Sequence, residues 1–339
     1  MTTIYAAMED GLLILRARNG RWEAESGMEG KSVWCLAADP ARPERVWSGA
    51  VGAGAWRSDD QGASWRPAGE ELAGLDVSAL AVGPDEEVVY AGIDPSAMWR
   101  SADAGRRWEE LTTLTELPSA PTWSFPPRPE TSHVRWITID PVDPDRLYVC
   151  IEAGALVRSS DGGRTWRDRV SDGPGDTHTL AVHPDAPGRL YSAAGDGFGI
   201  PGRGYSESHD GGDTWARPDE GIERHYLYGL AVDPGDPDTV VVSAAESPFK
   251  AHAPQAADSI IYRRSGREPW GEVRDGLPAP NGTVRPLLAA NAGEQGVFYS
   301  VSNHGIFRSA DAGVSWEPVL APLPERYRGR SPHAITVTP

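Results

Sequence analysis

Short apolar runs, each closed by a cluster of Gly, Pro, Asp or Ser, follow one another along the whole chain. Leu147-Tyr148-Val149-Cys150 reads as one strand, and Leu230-Ala231-Val232-Asp233-Pro234 as another that ends in an Asp-Pro turn. With 38 Gly and 30 Pro in 339 residues, turns are frequent and long helices are disfavoured. The pattern predicts an all-β protein.

The runs recur in register. Ser-x-Asp-x-Gly-x-x-Trp occurs at Ser58-Asp60-Gly62-Trp65, Ser101-Asp103-Gly105-Trp108, Ser159-Asp161-Gly163-Trp166, Ser208-Asp210-Gly212-Trp215 and Ser309-Asp311-Gly313-Trp316. Degenerate copies end at Trp270, after Tyr262-Arg263-Arg264-Ser265, and at Trp22, where Gly11 to Trp22 matches Gly305 to Trp316 without a gap. The repetition accounts for an unusual count of 13 Trp against 10 Tyr and 5 Phe. Seven units of about 45 residues, each with four short strands, predict a seven-bladed β-propeller. Within each turn, the Ser and Asp side chains can bond nearby amides, Gly supplies a left-handed conformation, and the indole packs on the blade. The ends complete the count. Ile335-Thr336-Val337-Thr338-Pro339 reads as the first strand of a blade, and Ile4-Tyr5-Ala6-Ala7 and Leu12-Leu13-Ile14-Leu15 as later ones. One blade, shared between about residues 1–30 and 331–339, then closes a single domain over 1–339 and removes free sheet edges.

The turn resembles the Asp-box, or BNR repeat, of sialidases, sortilin-type receptors, certain endoglucanases and photosystem-assembly propellers. The resemblance extends over essentially the whole chain. It implies a propeller whose boxes are structural and lie on the face opposite the ligand, so it implies fold strongly and reaction weakly. Sialidases carry an early Phe-Arg-Ile-Pro motif; the nearest string here, Phe198-Gly199-Ile200-Pro201, lacks the arginine and lies mid-chain, which argues against sialidase chemistry.

On such a fold, ligands meet the loops that enter the first strand and those that join the second to the third. Successive Trp intervals of 43, 43, 58, 49, 55 and 46 residues put the extra length in segments 114–133, 195–206 and 246–260, all on that face over blades 4 to 6. These extensions are candidates for a lid or for a protein-docking wall through Trp123, Phe125, Phe198, Phe249 and Lys250.

Aligning the first strands on Leu36, Leu80, Ile137, Leu180, Leu230, Leu287 and Ile335 shows where polarity begins. Two residues upstream stand Trp34, Ser78, Arg135, His178, Tyr228, Arg285 and His333; four upstream stand Ser32, Asp76, His133, Asp176, Tyr226, Thr283 and Ser331. His225 lies just outside this set. The expectation is a funnel lined by aliphatics with a polar, aromatic mouth.

The net charge of −17 makes a nucleic-acid surface a poor fit, and no apolar run is long enough to span a bilayer. Glu9 and Asp10 stand where a signal peptide is neutral or basic, and only Cys35 and Cys150 are present, so a soluble cytoplasmic protein with two structural thiols is expected. Arginines converging in an acidic protein focus positive potential at one concave spot, which suits a small anionic or sugar-like ligand.

Three readings follow. In a lyase or hydrolase, His178 or His225 serves as base, Tyr228 or Tyr226 as proton donor, and Arg135 neutralises a substrate carboxylate; this resembles propeller polysaccharide lyases in residue types. Ligand contacts then come from Trp34, His133, Trp136, Arg285, His333, Tyr226, Glu152 and Glu246, and the last two can also pair with Arg135 and Arg285. As a metal enzyme, the chain would hold a divalent ion, Zn or Fe, through His133, His178, His225 and His333 with Glu152 or Glu246. As a scaffold, it would use the extended loops alone.

Overall fold

The computed structural model describes residues 2–39, 41–85 and 87–339 and contains seven antiparallel sheets, the blades of a β-propeller. Blade 1 is built from both ends of the chain, in the order Ala334–Thr338, Thr3–Met8, Gly11–Arg18 and Arg21–Gly27. Its closing pair runs from Thr3 opposite Thr338 to Ala7 opposite Ala334. Blades 2 to 7 span residues 33–67, 76–110, 134–167, 177–216, 226–273 and 287–320. Five blades have four strands; in blades 4 and 5 the fourth strand shrinks to one bridge, Arg158 with Arg167 and Glu207 with Ala216. Among the described residues no helix is long and apolar enough to cross a membrane.

The repeated turn closes each unit by the bonds its residue types allow. At Ser58, the hydroxyl donates to Asp60 Oδ1 (2.7 Å) and accepts from Gly62 N (2.8 Å), while Asp60 Oδ1 and Oδ2 accept from Ser64 N and Oγ (2.8 and 2.6 Å). The two residues before the last stretch of the turn are left-handed, with φ of 58° at Gln61 and 84° at Gly62. The same bonds recur at Ser159, Ser208 and Ser309. Trp108 carries the turn into the core: it is 6% exposed, donates to Ala68 O (2.9 Å) and meets Trp47 of the neighbouring blade edge to face at 6.3 Å. Cys35 and Cys150 are buried free thiols, and burial pushes Cys35 up to about 12.

The extensions are structured in different ways. Segment 114–133 folds inward: Leu114 and Trp123 join the core of blades 3 and 4, Trp123 at 8% exposure, and Ser119 N and Oγ donate to Asp168. Trp123 is therefore not surface for a partner. The other two extensions form short helices, Asp196–Gly199 and Pro248–His252, which leave Phe198 and Phe249 at 58% and 61% exposure.

Candidate functional site

The first strands are interrupted where the polar ring begins. In blades 2 to 6 the pairing with the second strand slips at Trp34, Ser78, Arg135, His178 and Tyr228-Gly229. A bulge leaves one residue outside the ladder and re-aims its side chain. In blades 7 and 1 the equivalent residues, Arg285 and His333, lie just before their strands start. Six of the seven ring residues, Trp34, Ser78, Arg135, Tyr228, Arg285 and His333, line one cavity of about 220 Å³. A second cavity of about 70 Å³ continues inward, lined by the aligned aliphatics Leu36, Leu80, Ile137, Leu287 and Ile335. Trp34, Ser78, Arg135 and His333 border both, so they form the floor of the mouth and the top of the channel.

Tyr228 is the centre of this arrangement. Its ring stacks on His178 at 4.5 Å and lies 5.1 Å from the Arg135 guanidinium and 4.6 Å from that of Arg285. Its hydroxyl accepts from Arg135 Nη2 at 2.9 Å. The two arginines differ in what balances them. Arg135 has Glu152 at 3.6 Å, and although burial opposes the charged form, Tyr228 and Glu152 hold its pKa above the usual value. Arg285, 5% exposed, donates to Pro332 O at 3.2 Å, but its Nε and Nη1 have no hydrogen-bond partner, and no carboxylate pairs with it among the described residues. Arg135 Nε, 3.6 Å from Glu152, and His133 Nδ1 are also buried without a hydrogen-bond partner.

Glu152 accepts from His133 Nε2 at 2.8 Å. Burial pulls its carboxyl up, but the His133 bond and the nearby positive groups outweigh this and bring it down to about 2. Burial, then Arg285 and Arg135, pushes His333 down to about 4. Burial followed by Arg285 takes His252 down to about 2. Both rings are neutral at pH 7; His333 offers one donor and one acceptor to a hydroxyl-rich ligand, while His252, with Nε2 bonded to the Tyr226 hydroxyl, has Nδ1 left to offer.

No family model matches the chain. In sequence it is similar to a xyloglucanase of Paenibacillus sp, 28% identical over 298 residues that cover 73% of this chain and 27% of that one. It is also similar to xyloglucanase Xgh74A of Acetivibrio thermocellus, 27% identical over 292 residues, covering 71% and 32%. The chain spans only 27% to 38% of the length of the curated relatives it matches. In structure it is similar to the GH74 enzyme of Niastella koreensis, with a TM-score of 0.69 and 18% identity over 94% of this chain and 52% of that one. YCF48 bound to D1 peptide is similar over 94% of this chain and 97% of its own, with a TM-score of 0.63 and 16% identity. At these identities the structural likeness speaks for the propeller fold alone.

The structure gathers Arg135, Tyr228, Trp34, His133, Arg285, His333 and Glu152 at the mouth and sets His178 and Tyr226 directly behind Tyr228. Trp136 lines the channel below. Glu246 and His225 stand elsewhere. Glu246 is exposed and forms no ion pair with Arg285, because the chain leaves the blade there into the helix Pro248–His252. His225 is half-buried and accepts only a long 3.5 Å contact from Gly202 N; one residue before Tyr226, it has the opposite strand parity. The four candidate metal-binding histidines therefore do not converge, and only His178 stands near two carboxylates, Glu152 at 3.9 Å and Asp176 at 3.8 Å. Two mouth residues escape the strand alignment: His252, bonded to the Tyr226 hydroxyl at 3.0 Å, and Phe125, edge-on to His133 at 4.9 Å. Both come from insertions, and insertion length was their only signal.

Proposed function

We propose that the funnel mouth binds a carbohydrate-like ligand carrying an anionic group. Arg285 and Arg135 take the charge, while Trp34 and the neutral His252 and His333 meet the ring and hydroxyls. One observation carries this reading: Arg285 is buried with two N–H-bearing nitrogens lacking a hydrogen bond and, among the described residues, no carboxylate paired with it. Buried cations are normally paired, and an anion from solution supplies the absent partner. The carbohydrate part is supported by the xyloglucanases among the sequence relatives. Binding is favoured over acid–base chemistry because Glu152, His252 and His333 sit at about 2, about 2 and about 4, far from a working pH near 7. A lyase or hydrolase reaction is the second reading, favoured by the Tyr228 hydroxyl held against Arg135.

Thermal shift tests the reading. Glucuronate and galacturonate should raise the Tm of the native protein, glucose and galactose should do so less, and the uronate shift should vanish in Arg285→Met. Equal shifts from neutral and acidic sugars, or an unchanged uronate shift in the variant, would overturn it. No shift from any sugar would turn attention to the exposed Phe198 and Phe249 as a protein-contact surface.

A further inference from the structure

One backbone frame is built twice in this propeller. Between blades 2 and 3, Val51 N donates to Ser32 O (2.9 Å), and Asp76 Oδ1 accepts from Gly52 N (2.6 Å). Between blades 4 and 5, Glu152 N donates to His133 O (3.2 Å), and Asp176 Oδ1 accepts from Ala153 N (2.7 Å). The fold uses the aspartate in both copies. The other side chains differ: Ser32, Val51 and Ser78 in one copy, where the Ser78 hydroxyl donates to Val134 O (2.7 Å), and His133, Glu152 and His178 in the other.

In the second copy these differences bring three donor groups together. One oxygen of Glu152, one of Asp176 and a nitrogen of His178 all lie within 4.8 Å of one another. Each group is aimed by a bond through its other end. His133 Nε2 donates to Glu152 Oε2 (2.8 Å), Ala153 N to Asp176 Oδ1 (2.7 Å), and His178 Nδ1 to Leu227 O (2.7 Å). A carbonyl can only accept, so the His178 proton sits on Nδ1 in the neutral ring and Nε2 turns a lone pair toward two carboxylates. His178 is 1% exposed, and among the described residues the only other hydrogen-bonding group at Nε2 is the Tyr226 hydroxyl at 3.4 Å, which has a shorter bond to His252. Separations of 3.8 and 3.9 Å are too long for hydrogen bonds. Ligand atoms about 2.1 Å from a shared ion stand roughly 3 Å apart, so closure needs shifts of under about 1 Å. Outer bonds that fix tautomer and orientation are what metal ligands require.

We infer that Glu152, Asp176 and His178 form a site for a first-row divalent cation beside the funnel mouth. Two carboxylates and one imidazole suit Mn²⁺ or Zn²⁺. The site stands on residues other than Arg285, so it is tested apart from the anion reading.

The experiment uses the untagged full-length protein, stripped with EDTA and titrated with MnCl₂, with free Mn²⁺ read by electron paramagnetic resonance and ZnCl₂ as competitor. The expected result is one saturable equivalent displaced by Zn²⁺. Asp176→Asn and His178→Gln should each weaken it by about tenfold or more. Asp76→Asn, which makes the same substitution in the copy with Ser78, should leave it unchanged, and this separates loss of a ligand from loss of the backbone tie. No saturable site below about 1 mM for either ion overturns the inference. So does Asp176→Asn binding as well as the native chain.

Discussion

Arg135 and Tyr228 are joined twice: Nη2 donates to the phenol oxygen at 2.9 Å, and the guanidinium carbon lies 5.1 Å from the ring centroid. The residues come from blades 4 and 6, so the pair spans blade 5 across the funnel and holds the mouth to one geometry. Tyr228→Phe keeps the ring and deletes the acceptor. A hydrogen bond to a charged group contributes about 1.5–3 kcal/mol, and the variant should lose about that much in urea unfolding. Uronate binding should persist, because Arg135 and Arg285 still line the cavity. A variant as stable as the native chain would show that the bond contributes nothing net.

The second arginine on the same ring should respond with the opposite sign. Arg285 brings a buried charge with no carboxylate to balance it, so Arg285→Met removes a desolvation penalty and should raise stability by about 1–3 kcal/mol. Arg135→Met instead removes one of the positive groups beside Glu152, which keeps its His133 bond, and the donor to the Tyr228 hydroxyl, and should cost about 1.5–3 kcal/mol. Urea midpoints of the two variants decide the matter; a loss of stability in Arg285→Met would mean that Arg285 is already compensated within the fold.

The contrast between these arginines also marks how far the sequence could be read. Strand alignment brought Arg135, Arg285, Tyr228, Trp34 and His333 to one ring, because each sits at a fixed offset in a repeated unit and the repeat dictates its height along the funnel. What balances them was legible only in part: of the two acids expected, Glu152 stands beside Arg135, and Glu246 does not reach Arg285. Glu152 and Glu246 both directly follow second strands, Leu147–Ile151 and Asp236–Ala245. At Glu152 a tight turn with left-handed Ala153 returns the chain to the next strand and keeps the carboxylate over the mouth. At Glu246 a long insertion carries it into solvent, and the same insertion brings His252 back over Tyr226. Repeat arithmetic gives the length of an insertion and says nothing of its path.

The neutral histidines imply a pH dependence of definite sign. His333 and His252 are held at about 4 and about 2, against about 6.5 in an unfolded chain. Between those values the unfolded state binds more protons, so stability rises with pH, is fully present above about 6.5, and falls away as the pH drops toward 4. Each ring should contribute on the order of 1 kcal/mol per pH unit in that window. Urea unfolding between pH 7.5 and pH 4.5 should therefore show a shallower slope in His333→Gln and in His252→Gln than in the native chain. Parallel slopes would mean that both rings charge as freely in the folded state as in the unfolded one.

The repeated turns allow backbone strain to be separated from packing. Gly20 and Gly105 are both left-handed, with φ of 73° and 77°, so alanine at either position meets a similar conformational penalty of about 1–2 kcal/mol. Their surroundings differ. A Cβ on Gly20 meets nothing within 4 Å, whereas one on Gly105 falls 2.4 Å from the Trp47 ring, which is fully buried and edge-on to Trp108. Forcing an atom into a packed core adds about 1–3 kcal/mol, so Gly105→Ala should cost clearly more than Gly20→Ala. The difference between the two urea midpoints measures how tightly the third blade's turn is seated on the second. Equal losses would mean that conformation alone demands glycine in the repeat; a larger loss at Gly105 would show that neighbouring blades demand it as well, tying the signature by which the fold is read to the contact that holds the ring together.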